Sequence, residues 1–260
     1  MAERGSTLSF STPPVRSVRL AFYFETAAHL TAAHTSALFE LWRPEYPEIV
    51  QSPPRAPVTE PTQDIGFIGQ DDYWPLPFTE MENPDSGKSI FFQDDRFGVL
   101  WNFDPDLDRA PAYPGFDELR KELLARFERF CDAVKSSGGS EIRVQIAECT
   151  YTNEMPDVAI DEYAFGILTH WAQGYESDPS VREGTMFSRH YHFAGDPNRP
   201  IWVSASATGP DTGMTLRITT RHEAEEELSP VAGIEAAHED LITTFVQCSS
   251  DEMRQGWGQQ

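Results

Sequence analysis

The segment VRSVRLAFYFE, residues 15–25, alternates cleanly between apolar and other side chains. One side of an extended chain would carry Val18, Leu20, Phe22 and Phe24. The other side would carry Arg19, Ala21, Tyr23 and Glu25. Because successive side chains of a strand point to opposite faces, this pattern predicts a half-buried strand in a sheet.

Further helices and strands are predicted on the C-terminal side of this strand. Apolar residues at helical spacing or in alternation, with Gly and Pro between them, mark each element. In the first half these are a helix (29–42), a loop-rich stretch (51–87) with a short strand near 74–81, a hairpin turning at Asp94-Asp95 (89–103) and a long helix (114–139). In the second half they are a strand (140–156), a short helix (161–174), strands 186–194, 201–208 and 214–222, a helix (229–247) and a terminal turn with Ser249 and Glu252 as a capping box.

This order predicts an α+β fold, with antiparallel sheets and helices packed on one face. Residues 15–138 and 139–260 show the same succession of elements, which suggests a duplicated βαβββα unit. The two α+β halves could form one compact domain. Residues 1–14, which end in two prolines, predict a flexible leader.

Glu148 interrupts the pattern of the strand SEIRVQIAECTYTNEMP, residues 140–156. Strict alternation places this carboxylate on the same face as Val144 and Ile146. A bulge or an exit at the strand end would move it away, and we expect one of these; otherwise the carboxylate points inward.

The chain is strongly acidic, with 42 acidic and 20 basic residues and a formal net charge of −22. Such a surface repels nucleic-acid phosphates and anionic membranes, so we expect neither as a direct partner. The charge serves solubility or attracts a basic partner. Three scattered cysteines and the lack of a long apolar run predict reduced thiols and a cytoplasmic protein.

The histidines offer a weak case for a metal. His190 and His192 would project from one face of a strand, and His222 follows two strands later. A metal-dependent hydrolase could use these three with Glu148, although a strand spacing of about 5 Å holds His222 too far away unless the sheet curls. The sequence contains no nucleophile elbow, phosphate loop or zincin motif, so we expect no catalytic residues, no metal and no cofactor.

Several segments together resemble an uncharacterised, sporadically distributed family of bacterial and archaeal proteins of about this length. The most distinctive are YPGFDEL (113–119), YTNEMP (151–156) and AHEDLITTF (237–245). Tyr151, Asn153 and His238 match its recurrent positions. The resemblance implies no activity, but its patchy occurrence is typical of accessory genes, including toxin–antitoxin and phage-defence genes.

The sequence therefore favours a non-enzymatic cytoplasmic protein-binding module, antitoxin-like or defence-associated, that engages a basic partner. A small-molecule sensor or carrier with an aromatic cleft between the halves is the first alternative, and the metal-dependent hydrolase is the second. The cleft would draw its walls from Trp74, Phe78, Trp101, Trp171 and Trp202. The candidate binding residues are Tyr73, Trp74, Trp101, Tyr151, Asn153 and His238.

Overall fold

The fold is built on one antiparallel sheet of nine strands in the order β2-β3-β4-β5-β1-β6-β9-β8-β7. The computed structural model describes residues 13–25, 32–55, 76–103, 112–136, 141–156, 185–207, 213–224 and 227–259, with positions 10, 27, 30, 138, 158 and 160. Its strands are β1 (Val15–Phe24), β2 (Glu48–Ser52), β3 (Phe78–Asn83), β4 (Lys88–Gln93), β5 (Arg96–Asn102), β6 (Val144–Met155), β7 (Thr185–His192), β8 (Pro200–Ala207) and β9 (Met214–Glu223). Its helices are α1 (Ala32–Trp42), α2 (Phe116–Ser136), α3 (Pro230–Gln247) and α4 (Asp251–Gly256).

Strand β1 lies at the centre of the sheet, between β5 and β6. Its alternating apolar and other side chains lie on opposite faces of the sheet, as predicted. Leu20 and Phe22 pack in the core under the helices, on what we call the helix face. Arg19 and Tyr23 stand on the opposite side, which we call the polar face. The α+β class and the antiparallel pairing are thus confirmed.

The helix face is closed by an aromatic core. Phe127 of α2 packs on Phe22, with ring centroids 4.9 Å apart. Phe130, one turn further on, lies 5.3 Å from Phe97 and 5.9 Å from Phe92. Helix α2 therefore joins three strands by the apolar stripe that its sequence predicts.

Strand β6 contains a register shift, but the expectation that a bulge or a strand exit moves Glu148 away from its apolar neighbours was wrong. Its register against β1 shifts between the pairs Tyr23–Ile146 and Phe24–Val144. Val144 consequently packs in the core of the helix face, whereas Ile146 packs on the polar face. Glu148 keeps the face of Ile146 and is only 2% exposed, so the bulge precedes this carboxylate and leaves it buried.

Smaller differences concern the ends of elements. Strand β2, a five-residue strand between prolines, was not predicted. The cap of α4 is Ser250, which accepts a hydrogen bond from the Met253 amide, and not the predicted Ser249. Phe10, in the predicted leader, packs against Phe245 with centroids 6.0 Å apart. The predicted helix 161–174 lies outside the described residues. None of the helices described is long and apolar enough to cross a bilayer.

Candidate functional site

The polar face holds a network of buried charges around Glu148. Tyr23 donates a hydrogen bond to Glu148 Oε1 at 3.0 Å, and Arg221 Nε donates to Oε2 at 2.8 Å. Arg19 donates from Nη2 to the Tyr23 hydroxyl at 3.1 Å. These residues meet because β1, β6 and β9 are neighbours, and the register pairs Ala21 with Glu148 and Glu148 with Arg221. We call Arg19, Tyr23, Arg96, Glu148 and Arg221 the arginine cluster.

The arginine cluster fixes the protonation of its members. Burial alone would raise the pKa of Glu148, but the charges of Arg221 and Arg19 and two hydrogen bonds together hold it below its ordinary value. Burial raises the pKa of Tyr23 to about 12. Glu148 is therefore a carboxylate at neutral pH and Tyr23 a hydroxyl that donates to it.

Arg96 extends the arginine cluster towards the β4–β5 turn. Its guanidinium carbon lies 5.6 Å from the centre of the Tyr23 ring, at the same distance as that of Arg221. Arg96 also forms a buried ion pair with Asp95, at 2.7 Å between Nε and Oδ1. Asp95 thus supplies the counterion of Arg96, as Glu148 does for Arg221.

Four of the predicted binding residues lie instead on the helix face. Trp101 and Tyr151 stand in one row across the sheet, since both pair with Val18. Tyr113 bridges them, with its ring 5.2 Å from Trp101 and its hydroxyl 2.7 Å from that of Tyr151. The imidazole of His238 lies 5.9 Å from the Tyr151 ring. The sequence thus selected residues that do come together, on a covered face of the sheet.

Asn153 lies inside β6, where it is 1% exposed. Its amide donates to the Leu216 carbonyl at 3.3 Å. Tyr73, Trp74 and Trp171 lie outside the described residues. Of the aromatic cleft walls, Phe78 and Trp202 stand on the polar face and Trp101 on the helix face, so these three do not line one cleft.

His238 offers a test of the helix-face contacts. Its ring stacks on Phe116 with centroids 3.6 Å apart, and burial lowers its pKa to about 4. The unfolded chain takes up this proton near pH 6.5, so the folded state loses stability as the pH falls from there towards 4. We expect wild type to lose stability relative to His238→Phe between pH 7 and pH 5, measured by urea unfolding. An equal stability difference at both pH values would contradict this.

The three histidines do not converge. His190 and His192 are neighbours on the polar face, with ring centroids 5.4 Å apart. His222 pairs with Ala147 and therefore stands on the helix face. Within the described segments, no group of three or more His, Cys, Asp or Glu side chains could hold a metal ion. The cysteines are free, and burial raises the pKa of the Cys131 thiol to about 12, which makes it a poor nucleophile.

Sequence reasoning passed over the outer edge of the sheet at β2. Glu48 is exposed and pairs directly with Glu82 of β3. Ile49 and Val50 are 42% and 49% exposed. Glu80 completes the group, and burial together with the charge of Glu82 raises its pKa. We call Glu48, Ile49, Val50, Glu80 and Glu82 the acidic edge.

Neither the family models nor the curated proteins compared with this chain give a match. The resemblance to the bacterial and archaeal family stays a prediction.

Proposed function

We propose that this protein is a non-enzymatic module that binds a basic protein partner along the acidic edge. The observation that carries the proposal is a strand at the end of the described sheet that exposes apolar side chains beside two carboxylates facing each other. A partner segment rich in Lys or Arg could pair with the side of β2 on which no strand of the described sheet lies, cover Ile49 and Val50, and neutralise Glu48. It would also relieve the repulsion between Glu48 and Glu82, which face each other across the strands.

The distribution of ion pairs supports a basic partner. Arg221 and Arg96 are buried against Glu148 and Asp95, and Arg199 is bound by the buried carboxylate of Asp240. Each of these pairs is neutral. The net charge of −22 therefore belongs to groups outside them, where it can attract cations from solution.

We infer a neutralising role, in which the module masks a basic effector protein. The resemblance implies no activity, but its patchy occurrence is typical of accessory genes, so we propose toxin–antitoxin and phage-defence systems as the setting and the cytoplasm as the compartment. Catalysis by His190, His192 and His222 has no support in the structure, because these side chains do not share one face of the sheet.

We also infer that the two halves repeat one βαβββα unit. The orders β3-β4-β5-β1 and β7-β8-β9-β6 mirror each other about the β1–β6 pair. In addition, α2 follows β5 as α3 follows β9. Among the described residues, strand β2 has no counterpart in the second half.

The test is a capture experiment from the source cell, at low and moderate salt, with the purified protein as bait. We expect Glu48→Lys with Glu82→Lys to reduce the captured basic protein at least tenfold, because these changes place like charges against it. The matched control is Glu128→Lys with Asp132→Lys on the exposed side of α2, which makes the same change in charge. No captured protein at either salt concentration, or equal loss in the two variants, would refute the proposal.

A further inference from the structure

Nη2 of Arg221 and the indole Nε1 of Trp202 lie on the polar face, are buried, and have no hydrogen-bond acceptor in the described part of the chain. The Arg221 guanidinium carbon lies 4.8 Å from the centre of the Trp202 ring. Buried donors nearly always have a partner, so two without an acceptor on side chains that stack on each other indicate a missing group.

We propose that this place binds the carboxylate group of a small molecule, with Arg221 and Trp202 as its hydrogen-bond donors. The missing group must accept two hydrogen bonds and tolerate a cationic neighbour, which a carboxylate does. Arg221 already uses Nε on Glu148, so Nη2 remains for the ligand.

The side chains beside the donors indicate what else the ligand carries. The His190 imidazole lies parallel to the Trp202 indole, at 3° and 4.7 Å between centroids. Trp202 is partly exposed and His190 is exposed, so the stack is reached from solvent. Flat rings stack favourably on such surfaces. An aromatic or conjugated carboxylate therefore fits better than an aliphatic one. This inference does not depend on the acidic edge, which lies at the opposite end of the sheet.

Benzoate titration of the ¹⁵N-labelled protein, followed by NMR of the indole N–H groups, tests the site. We expect the Trp202 indole resonance to shift with a Kd in the millimolar range, and the Trp42 resonance to stay in place. Trp42 is the matched control, because its buried indole nitrogen likewise has no partner among the described residues but lies on the helix face. Trp202→Phe and Trp42→Phe assign the two resonances.

Loss of either donor should weaken binding. We expect benzoate protection against thermal unfolding to need about tenfold more ligand in Trp202→Phe, and similarly in Arg221→Lys, which keeps the charge. Trp42→Phe should bind as wild type does. A Trp202 resonance that benzoate does not move would overturn the proposal and indicate that water fills the place. A response to inorganic phosphate but not to benzoate would overturn the carboxylate assignment.

Discussion

Replacing Glu148 with alanine is expected to lower the free energy of unfolding by about 3–5 kcal/mol. The change leaves the Arg221 guanidinium, which is 1% exposed, without its carboxylate. It also removes the acceptor of the Tyr23 hydroxyl. Because a buried charge without a counterion is far more costly than a missing surface pair, this variant should be among the most damaging polar substitutions. Urea unfolding at pH 7 measures the loss.

Glu154→Ala provides the matched control on the same strand. Its carboxylate pairs with Arg16 at the surface, where side-chain exposures are 40% and 51%, so we expect a loss below about 1 kcal/mol. A double variant, Glu148→Met with Arg221→Met, should recover much of the stability lost in Glu148→Ala. Equal losses in Glu148→Ala and Glu154→Ala would show that the arginine cluster stabilises the fold no more than a surface ion pair does.

The same carboxylate contributes a pH dependence. The pKa of Glu148 is lower in the folded protein than its ordinary value of 4.5. Its stabilising effect is therefore complete above that value and is lost as the pH falls through the folded pKa. The stability difference between wild type and Glu148→Gln should accordingly shrink in acid.

Replacing Phe130 with alanine is expected to cost about 3–5 kcal/mol, because the cavity would open in the centre of the aromatic core. Phe130 is fully buried and contacts rings from β1, β4 and β5, including Phe24 at 5.9 Å between centroids. Phe130→Leu should cost distinctly less, since most of the volume remains. Chemical denaturation with unchanged m-values measures both losses.

Leu124→Ala is the control for Phe130→Ala on the same helix. Leu124 is only partly buried at the margin of the core, so its truncation should cost clearly less. A Phe130→Ala variant no less stable than Leu124→Ala would mean that α2 is held to the sheet by other contacts.

The spacing of apolar residues within each segment was sufficient to predict most helices and strands, but not which strands lie next to each other in the sheet. The alternation in β1 and the stripe of α2 each state which side faces the core, and the structure agrees. Strand β2 escaped notice because five residues between prolines at the edge need no alternating apolar side. The bulge before Glu148 could be suspected from an acid in an apolar row, but its position depends on the pairing of β6 with β1.

The arginine cluster could not be predicted from single segments. Arg19, Glu148 and Arg221 come from distant parts of the chain, and their meeting requires the strand order β1-β6-β9. For the same reason the face of His222 could not be predicted, because it follows from the pairing of this residue with Ala147. A shift of one residue in the pairing of two strands moves each side chain of the shifted strand to the opposite face of the sheet. The periodicity of the sequence does not determine this pairing.

The β1–β6 pair has a consequence for biosynthesis. Tyr23 and Glu148 are 125 positions apart, so a ribosome adding about 5–20 residues per second needs roughly 6–25 s to supply the second strand after the first. Throughout that interval one side of β1 has no strand to pair with, which invites association between nascent chains. Efficient production should therefore depend on translation speed and on chaperones that shield the emerging N-terminal half.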